Sequence, residues 1–523
     1  DVYKRQEDDS ETDDDDVRYP LPAHRMPVHD DENIGLQPKQ PQSDRRPLGG
    51  TPQRVTSGSD EADEARAPFQ PLTPITERTE RTERTERTDS SRWTLDVPSE
   101  DAMPYGGLRA PPTSLAIPNP CSPADPDIVS TLLSNLARPV TQLPGYVDEA
   151  HESQYLSTLR ARLDARSRRS SVGNGCDVQV ADMQLSVYSR LGEGGFGSVF
   201  LAQDMNESVP LAGQVTASYA DVDQDDIDEL ERRQMLALKI ESPPNPWEFY
   251  ILDQLRHRLP DQLQASIVGA RRFVSCANES LLLLEYASMG TLLELVNHAA
   301  EAGVSSVLGQ GGGVEEVLAM FFVNELCRIV QGMHEAGLIH GDLKIDNCMI
   351  RADDVDEWTS TYAADGSGGW AAKGVTLIDF GRAIDMCCYP PDQRFLADWQ
   401  PGAQDCVEMR EMRPWTYQAD YYGLASIAHC LLFGKYMDTT CYVNDDGLKT
   451  YKIQQSLRRY WQTDLWTRFF HLMLNSTHYP SVGPQLTELR AEMDAWLTAH
   501  SFHAGKNLKG LLKKVEIWAL RRV

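Results

Sequence analysis

Large apolar residues are confined to one part of this chain, which decides where it can fold at all. Nine of the ten Trp lie beyond residue 175, Trp93 being the exception. Residues 1–150 carry 29 Asp and Glu against 16 Lys and Arg, and the rest of that stretch is mainly polar or Pro-rich. Such a composition cannot bury enough apolar surface to offset chain entropy. A disordered acidic, low-complexity linker is therefore expected over residues 1–114. It holds the acidic run Asp13–Asp16 and a Thr-Glu-Arg repeat from Thr76 to Thr88. A three-residue period fits no packed architecture. Just before the repeat, Phe69 to Ile75 forms an apolar island with a Thr73-Pro74 step, which reads either as a docking or phosphorylation motif or as plain linker.

A net charge of −28 opposes direct binding of nucleic acid or of an acidic membrane surface. No run of 18 apolar residues occurs, so no membrane span is expected. The best run, Gly423 to Gly434, reads as a buried helix. Ten Cys without C-x-x-C spacing suit reduced thiols in cytosol or nucleus. The first residue is Asp, and the chain is expected to be a fragment of a longer one.

Residues 115–180 behave differently from the tail. Ile128, Val129, Leu132, Leu133 and Leu136 make one helical stripe; Tyr155, Leu156, Leu159 and Leu163 make a second. Both helices are too short to stand alone, so this segment is expected to be a helical extension packed on the next domain. Arg166 to Arg169 adds a small basic patch, read as charged linker before nuclear-import signal. From 181 to 523 a β-rich part precedes an α-rich part, which predicts an α+β architecture of two lobes. Three stretches, near 204–234, 303–313 and 353–374, are acidic or Gly-rich and read as surface insertions.

Gly192-Glu193-Gly194-Gly195-Phe196-Gly197-Ser198-Val199 has the form G-x-G-x-x-G-x-V. Because Ser198 to Ala202 continues as a strand, the pattern favours a hairpin over nucleotide phosphates rather than the mouth of a dinucleotide-binding unit. Lys239 sits inside the apolar strand Ala237-Leu238-Lys239-Ile240, where it is costly unless paired. Glu248, at the start of the next helical pattern, is favoured as its partner over Glu241 on the same strand. The strongest signal is His340-Gly341-Asp342-Leu343-Lys344-Ile345-Asp346-Asn347 followed by Asp379-Phe380-Gly381. Phosphoryl transfer needs a carboxylate beside the acceptor hydroxyl and oxygen ligands for Mg²⁺. Asp342 suits the first task, Asn347 and Asp379 the second, and Lys344 can reach the transferred phosphate.

In this order the motifs resemble a eukaryotic protein kinase over residues 187–523. The resemblance implies the bilobal kinase fold, with a β-rich N-lobe and an α-helical C-lobe, and ATP with Mg²⁺ as cofactors. It implies a catalytic set of Asp342, Lys344, Lys239 and Glu248, with Asn347 and Asp379 on the metal. Gly192, Gly194, Gly197, Val199, Ala237, Lys239, Glu285 and Ala287 would line the nucleotide site, the last two through their backbone to adenine. Leu284 would be the gatekeeper, and Asp420 would organise the catalytic loop from a buried helix.

The segments Asn245–Ile251, His340–Lys344, Cys406–Met409 and Arg413–Tyr421 narrow the resemblance to the Bub family of spindle-checkpoint kinases. Pro71–Thr79 is similar to a linker motif of fungal members. The family implies a nuclear, kinetochore location, a histone tail as substrate, and checkpoint partners, among them a WD-repeat protein bound upstream of this chain. The family's N-terminal helical repeat domain is not visible, and the usual A-P-E motif is missing. Two other readings stand beside an active kinase: a checkpoint scaffold with a catalytically dispensable kinase fold, and a small-molecule phosphotransferase, whose enzymes also carry H-G-D-L. Lys344, the D-F-G and the complete glycine loop oppose the last. The activating switch is expected to be unusual. Gly341 stands where many kinases carry a phosphate-gripping Arg, and from Arg382 to Arg413 Tyr389 is the only hydroxyl. Packing of Pro390, Pro391, Phe395 and Trp399 is expected to hold that loop, and the helices at 128–163 to steady the glycine-loop lobe from outside.

Overall fold

A computed structural model describes residues 117–167, 175–194, 197–206, 235–306, 312–500 and 507–522. The acidic tail, the Thr-Glu-Arg repeat, Pro71–Thr79 with Thr73, Arg168, Arg169, Gly195, Phe196 and residues 207–234 lie outside them.

The first lobe is a seven-stranded sheet in the order β1-β6-β7-β5-β4-β3-β2. Its members are β1 (Tyr146–Glu149), β2 (Cys176–Val180), β3 (Met183–Glu193), β4 (Gly197–Asp204), β5 (Met235–Glu241), β6 (Ala270–Cys276) and β7 (Ser280–Glu285). In β4 and β5 every second side chain is buried, the period-2 pattern of a sheet with one covered face. Phe200, Leu238, Ile240 and Leu283 lie on that face, beneath a cover supplied from outside the sheet. The cover is α2 (Tyr155–Ser167) of the extension, whose Leu159 is fully buried among them.

The extension is less purely helical than its apolar stripes suggest. Besides α1 (Pro126–Ser134) and α2 it contributes β1 and β2, one to each edge of the sheet. β2 alternates apolar and polar residues, Cys176-Asp177-Val178-Gln179-Val180, and pairs with β3, so the sheet begins before residue 181. β1 pairs with β6 in parallel, and Tyr146 stacks on Phe273 at 5.6 Å. The two extension helices also part company. Leu132 of α1 joins the larger apolar core of the second lobe and of helix α3 (Trp247–Arg258), not the core under the sheet.

The second lobe is built on α5 (Glu316–Glu335), which follows the short α4 (Leu292–Asn297), and on α6 (Gln418–Phe433). Both long helices are apolar on nearly every side and correspondingly buried, as expected of helices surrounded by others. α6 is the helix read from Gly423–Gly434, and Gly434 ends it at φ 67°. Around them lie α7 (Thr463–Leu474), α8 (Gly483–His500) and α9 (Leu508–Leu520). No helix among the described residues is long and apolar enough to cross a membrane.

One of the expected surface insertions, and the described ends of a second, prove to be built into the fold. In 353–374, Trp358, Tyr362 and Trp370 form an edge-to-face cluster that continues to Phe321 of α5. The three aromatics are widely spaced among acidic and Gly residues, so no periodicity revealed them. Around 303–313, Val304 is buried, and a Cβ on Gly313 would lie 2.1 Å from the Leu431 carbonyl. Backbone there touches α6 directly, which only glycine permits.

Candidate active site

The glycine hairpin joins β3 to β4, with Gly192 opposite Val199 and the Gly194 amide donating to the Gly197 carbonyl at 2.9 Å. Gly197 admits no side chain, because a Cβ would come within 2.1 Å of the Ile240 carbonyl on β5. At Gly192, by contrast, a Cβ would meet no atom within 4 Å, so the strand faces open space there. Val199 pairs with Lys239 across the sheet, and Ala237 pairs with Leu284. Glu285 spends its amide on the Gly269 carbonyl at 2.9 Å. Ala287 lies two residues past β7, on the way to α4.

Lys239 is 14% exposed and meets three carboxylates: Glu248 at 2.6 Å, Asp379 at 2.9 Å and Glu241 at 3.7 Å. The fully buried Glu248 is thus the close partner, as expected, and Glu241 the distant one. Burial alone would lower the Lys239 pKa, but Asp379 and Glu248 outweigh it and hold it well above its ordinary value. Lys239 in turn depresses Asp379, helped by Lys344. Two-fifths of the Asp379 side chain faces the cleft, so solvent screens part of that attraction. Asp379 adopts φ 64°, an unusual backbone state for a residue with a side chain. Glu248 also accepts the Phe380 amide at 3.0 Å, so one carboxylate bridges Lys239 and the D-F-G segment. Phe380 is buried against the His340 ring, centroids 4.7 Å apart.

The catalytic loop runs from β8 (Leu338–Ile339) to β9 (Cys348–Ala352). Asp420, in the first turn of α6 and wholly buried, accepts the amides of His340 and Gly341 at 2.8 and 2.9 Å and His334 Nε2 at 2.9 Å. Burial would raise its pKa, yet these donors hold it below the usual carboxylate range. Asp342 and Lys344 form an ion pair at 2.8 Å on the cleft side. Asn347 is buried and donates Nδ2 to the Asp342 carbonyl at 2.9 Å. The Ile378 amide reaches the Asn347 carbonyl at 3.1 Å, which ties this loop to the D-F-G strand β10 (Lys373–Leu377). Asn347 and Asp379 offer hard oxygen donors. Among the described residues no group of three or more His, Cys, Asp or Glu would hold a metal unaided. This donor set suits a cation that takes its remaining ligands from phosphate oxygens and water.

The segment after D-F-G is ordered, though not by all the anchors expected. Phe395 is fully buried, bridges to the Trp415 backbone and packs on Tyr389, which is itself 1% exposed. Pro391 is exposed and Pro390 only half-buried, so they are not the main anchors, whereas the half-buried Trp399 does pack against the core. The extension supplies what the apolar pattern did not show. Asn119 Nδ2 donates to the Asp392 carbonyl, and Asn119 Oδ1 accepts the Arg394 amide, both at 3.0 Å. The Leu396 amide donates to the Cys121 carbonyl at 2.9 Å, and Gln393 reaches the Pro118 carbonyl at 2.9 Å. Residues 117–121 therefore strap this segment, while α2 serves the glycine hairpin: Arg160 donates to Ser198 Oγ at 3.0 Å and to the Gly197 carbonyl at 3.2 Å. Strapping by a polar Pro-Asn-Pro-Cys stretch has no periodicity to betray it.

The description "protein kinase domain" matches residues 185–468, more than half of the chain. The chain belongs to the protein kinase family. It is 37% identical over 381 residues to the spindle assembly checkpoint serine/threonine-protein kinase bub1 of Schizosaccharomyces pombe, covering 70% of this chain and 35% of that protein. Its counterpart in Saccharomyces cerevisiae is 33% identical, over 72% of this chain and 34% of that protein. This is strong homology to the Bub1 checkpoint kinases over their C-terminal portion, and the chain spans about a third of the length of these two relatives. The crystal structure of the BubR1 kinase domain matches the fold with a TM-score of 0.56 at 23% identity, covering 76% of this chain and 99% of that one.

Proposed function

We propose that this chain is an ATP- and Mg²⁺-dependent serine/threonine protein kinase of the spindle checkpoint, acting in the nucleus at kinetochores on a protein substrate such as a histone tail. Checkpoint proteins would be its partners, a WD-repeat protein among them. The observation that carries the reading is the assembled set: Lys239 held between Glu248 and Asp379, and Asp342 and Asn347 fixed in a loop that hangs from Asp420. A scaffold with no catalytic task has no need to keep Lys239 and Glu248 aligned at the cost of burying them beside Asp379.

Bound ATP with Mg²⁺ supplies the phosphoryl group and neutralises its charge; Asn347 and Asp379 are the oxygen ligands offered to the cation. Lys239 orients phosphate oxygens from the sheet side, and Glu248 fixes where its ammonium points. Asp342 would accept a hydrogen bond from the acceptor hydroxyl and take its proton as that oxygen bonds to the γ-phosphorus, the bond from the γ-phosphorus to the β-phosphate oxygen breaking so that ADP leaves. Lys344 then stabilises charge on the group being transferred. The glycine hairpin, drawn tight on β5 by Gly197, lets backbone amides approach phosphate from above.

The test incubates the full chain with labelled ATP and Mg²⁺ and three separate pools: histones, general protein substrates and aminoglycosides. Label on Ser or Thr of protein supports the reading. Label on aminoglycoside alone favours the small-molecule alternative, and no label in any pool favours the scaffold.

A further inference from the structure

The segment after D-F-G cannot be ordered in the way a phosphorylated loop is. That mechanism needs a phosphate on the loop and a cation to grip it. Gly341 not only lacks an Arg side chain but excludes one: its φ is 77°, and a Cβ would fall 2.4 Å from the Arg382 carbonyl. The loop's only hydroxyl, on Tyr389, is buried.

A different charge pair occupies the junction. Asp385 lies in β11 (Ile384–Asp385), which pairs with β8 directly before the catalytic loop, and its side chain is wholly buried. Arg258, at the last residue of α3, grips it in bidentate fashion at 2.7 and 2.8 Å. Tyr250, two turns earlier on α3, donates its hydroxyl to the same carboxylate at 2.8 Å, and the Cys387 amide adds a further bond at 3.0 Å. Bidentate, charge-assisted pairs of this kind are strong and directional. Arg258 also reaches the Ala336 carbonyl at the end of α5 at 3.4 Å, and Trp247 Nε1 donates to the Ala383 carbonyl at 2.7 Å. Thus the helix that carries Glu248 is fastened at both ends to the segment that carries Asp379.

We propose that Asp385 and Arg258 are positioning residues for phosphoryl transfer, with the Asp385 carboxylate doing permanently what a loop phosphate does elsewhere. The inference rests on the kinase reading above. It makes the enzyme active as synthesised. Breaking the pair frees α3 to move, so Glu248 no longer aligns Lys239 with Asp379. A displacement of about 1 Å in such a set can lower turnover about 10²-fold.

The test compares the chain of residues 1–523 with its Asp385→Asn, Arg258→Gln and double variants. Turnover, ATP KM, affinity for a fluorescent ADP, and hydrogen exchange over 247–258 and 383–389 are the readouts. Each single change should lower kcat about 10²-fold with ADP affinity within about threefold. The double variant should fall no further, since the two act as one unit. Exchange should quicken in both segments, and phosphatase treatment of the wild type should leave kcat unchanged. Unchanged kcat in either variant, losses that multiply in the double, loss of ADP binding in step with kcat, or silencing by phosphatase would each overturn the proposal. If the wild type phosphorylates nothing, the proposed function fails, while exchange still decides the latch: faster exchange in the variants sustains it and unchanged exchange refutes it.

Discussion

Replacing Glu279 by Gln should loosen the extension from the glycine-loop lobe without touching the cleft. Glu279 sits in the turn between β6 and β7, is 3% exposed, and caps the start of α2. Its Oε1 accepts the Ser153 hydroxyl at 2.5 Å and the Tyr155 amide at 2.6 Å, and its Oε2 accepts the Leu156 amide at 3.2 Å. Gln keeps the shape but turns one oxygen into an amide donor. Whichever way it lies, that donor faces a backbone N–H. One buried donor is then left unsatisfied, which costs about 1–3 kcal/mol, and a charge is lost from a helix N-terminus, worth about 0.3–1 kcal/mol. A 13-residue helix such as α2 is marginal alone in water. Its docking therefore rests on this cap and on burial of Leu159, itself worth about 1.5–3 kcal/mol. A net loss of about 2–3 kcal/mol raises local opening about 30- to 150-fold, at tenfold per 1.4 kcal/mol. Hydrogen exchange over 157–163 should quicken by that factor while α5 stays protected. Because Arg160 of α2 holds Ser198 and Gly197, ATP KM should rise with it. Unaltered exchange over 157–163 would refute the assignment of Glu279 as the cap.

Three further outcomes are expected. A chain starting at residue 180 lacks both the strap at 117–121 and α2, and should retain only a small part of the activity of residues 1–523; equal activity would show that the extension is idle. Lys239→Ala should weaken both fluorescent-ADP binding and turnover, since Lys239 is the cation between Glu248 and Asp379; undiminished nucleotide binding would contradict its placement. Burial raises the Glu241 pKa to about 7 from 4.5, against the pull of Lys239. A folded value above the unfolded one means stability present below about pH 4.5 and lost as pH rises through about 7. Glu241→Gln should therefore gain Tm relative to wild type as the buffer moves from about pH 5 to 8, and a pH-independent difference would refute the burial argument.

The residues that the structure gathers in the candidate site were legible because each breaks its local pattern. A Lys inside the apolar run Ala237–Ile240, or an Asp opening the apolar helix at 420, has no cheap structural reason to be there. Glu248 was separable from Glu241 by the geometry of strand and helix. What stayed hidden depends on pairing between distant segments. Asp385 looks unremarkable beside Ile384 until Arg258, 127 positions earlier, is brought to it. β1 and the Pro118–Cys121 strap make backbone bonds that leave no side-chain period, and β2 was missed although it alternates cleanly over five residues. The aromatics of 353–374 were masked by the acidic and Gly-rich residues between them.

The most direct measurement is phosphoamino-acid analysis of a histone incubated with γ-labelled ATP, Mg²⁺ and either the wild-type chain of residues 1–523 or its Asp342→Asn variant. Asp342 keeps its place in the loop through the Asn347 bond to its carbonyl, so the variant should still bind fluorescent ADP as the wild type does while losing the base that receives the hydroxyl proton. Label on phosphoserine or phosphothreonine with the wild type, and none above background with the variant, is the predicted result. Equal labelling by both proteins, or none by the wild type, would contradict the claim that this cleft transfers phosphate.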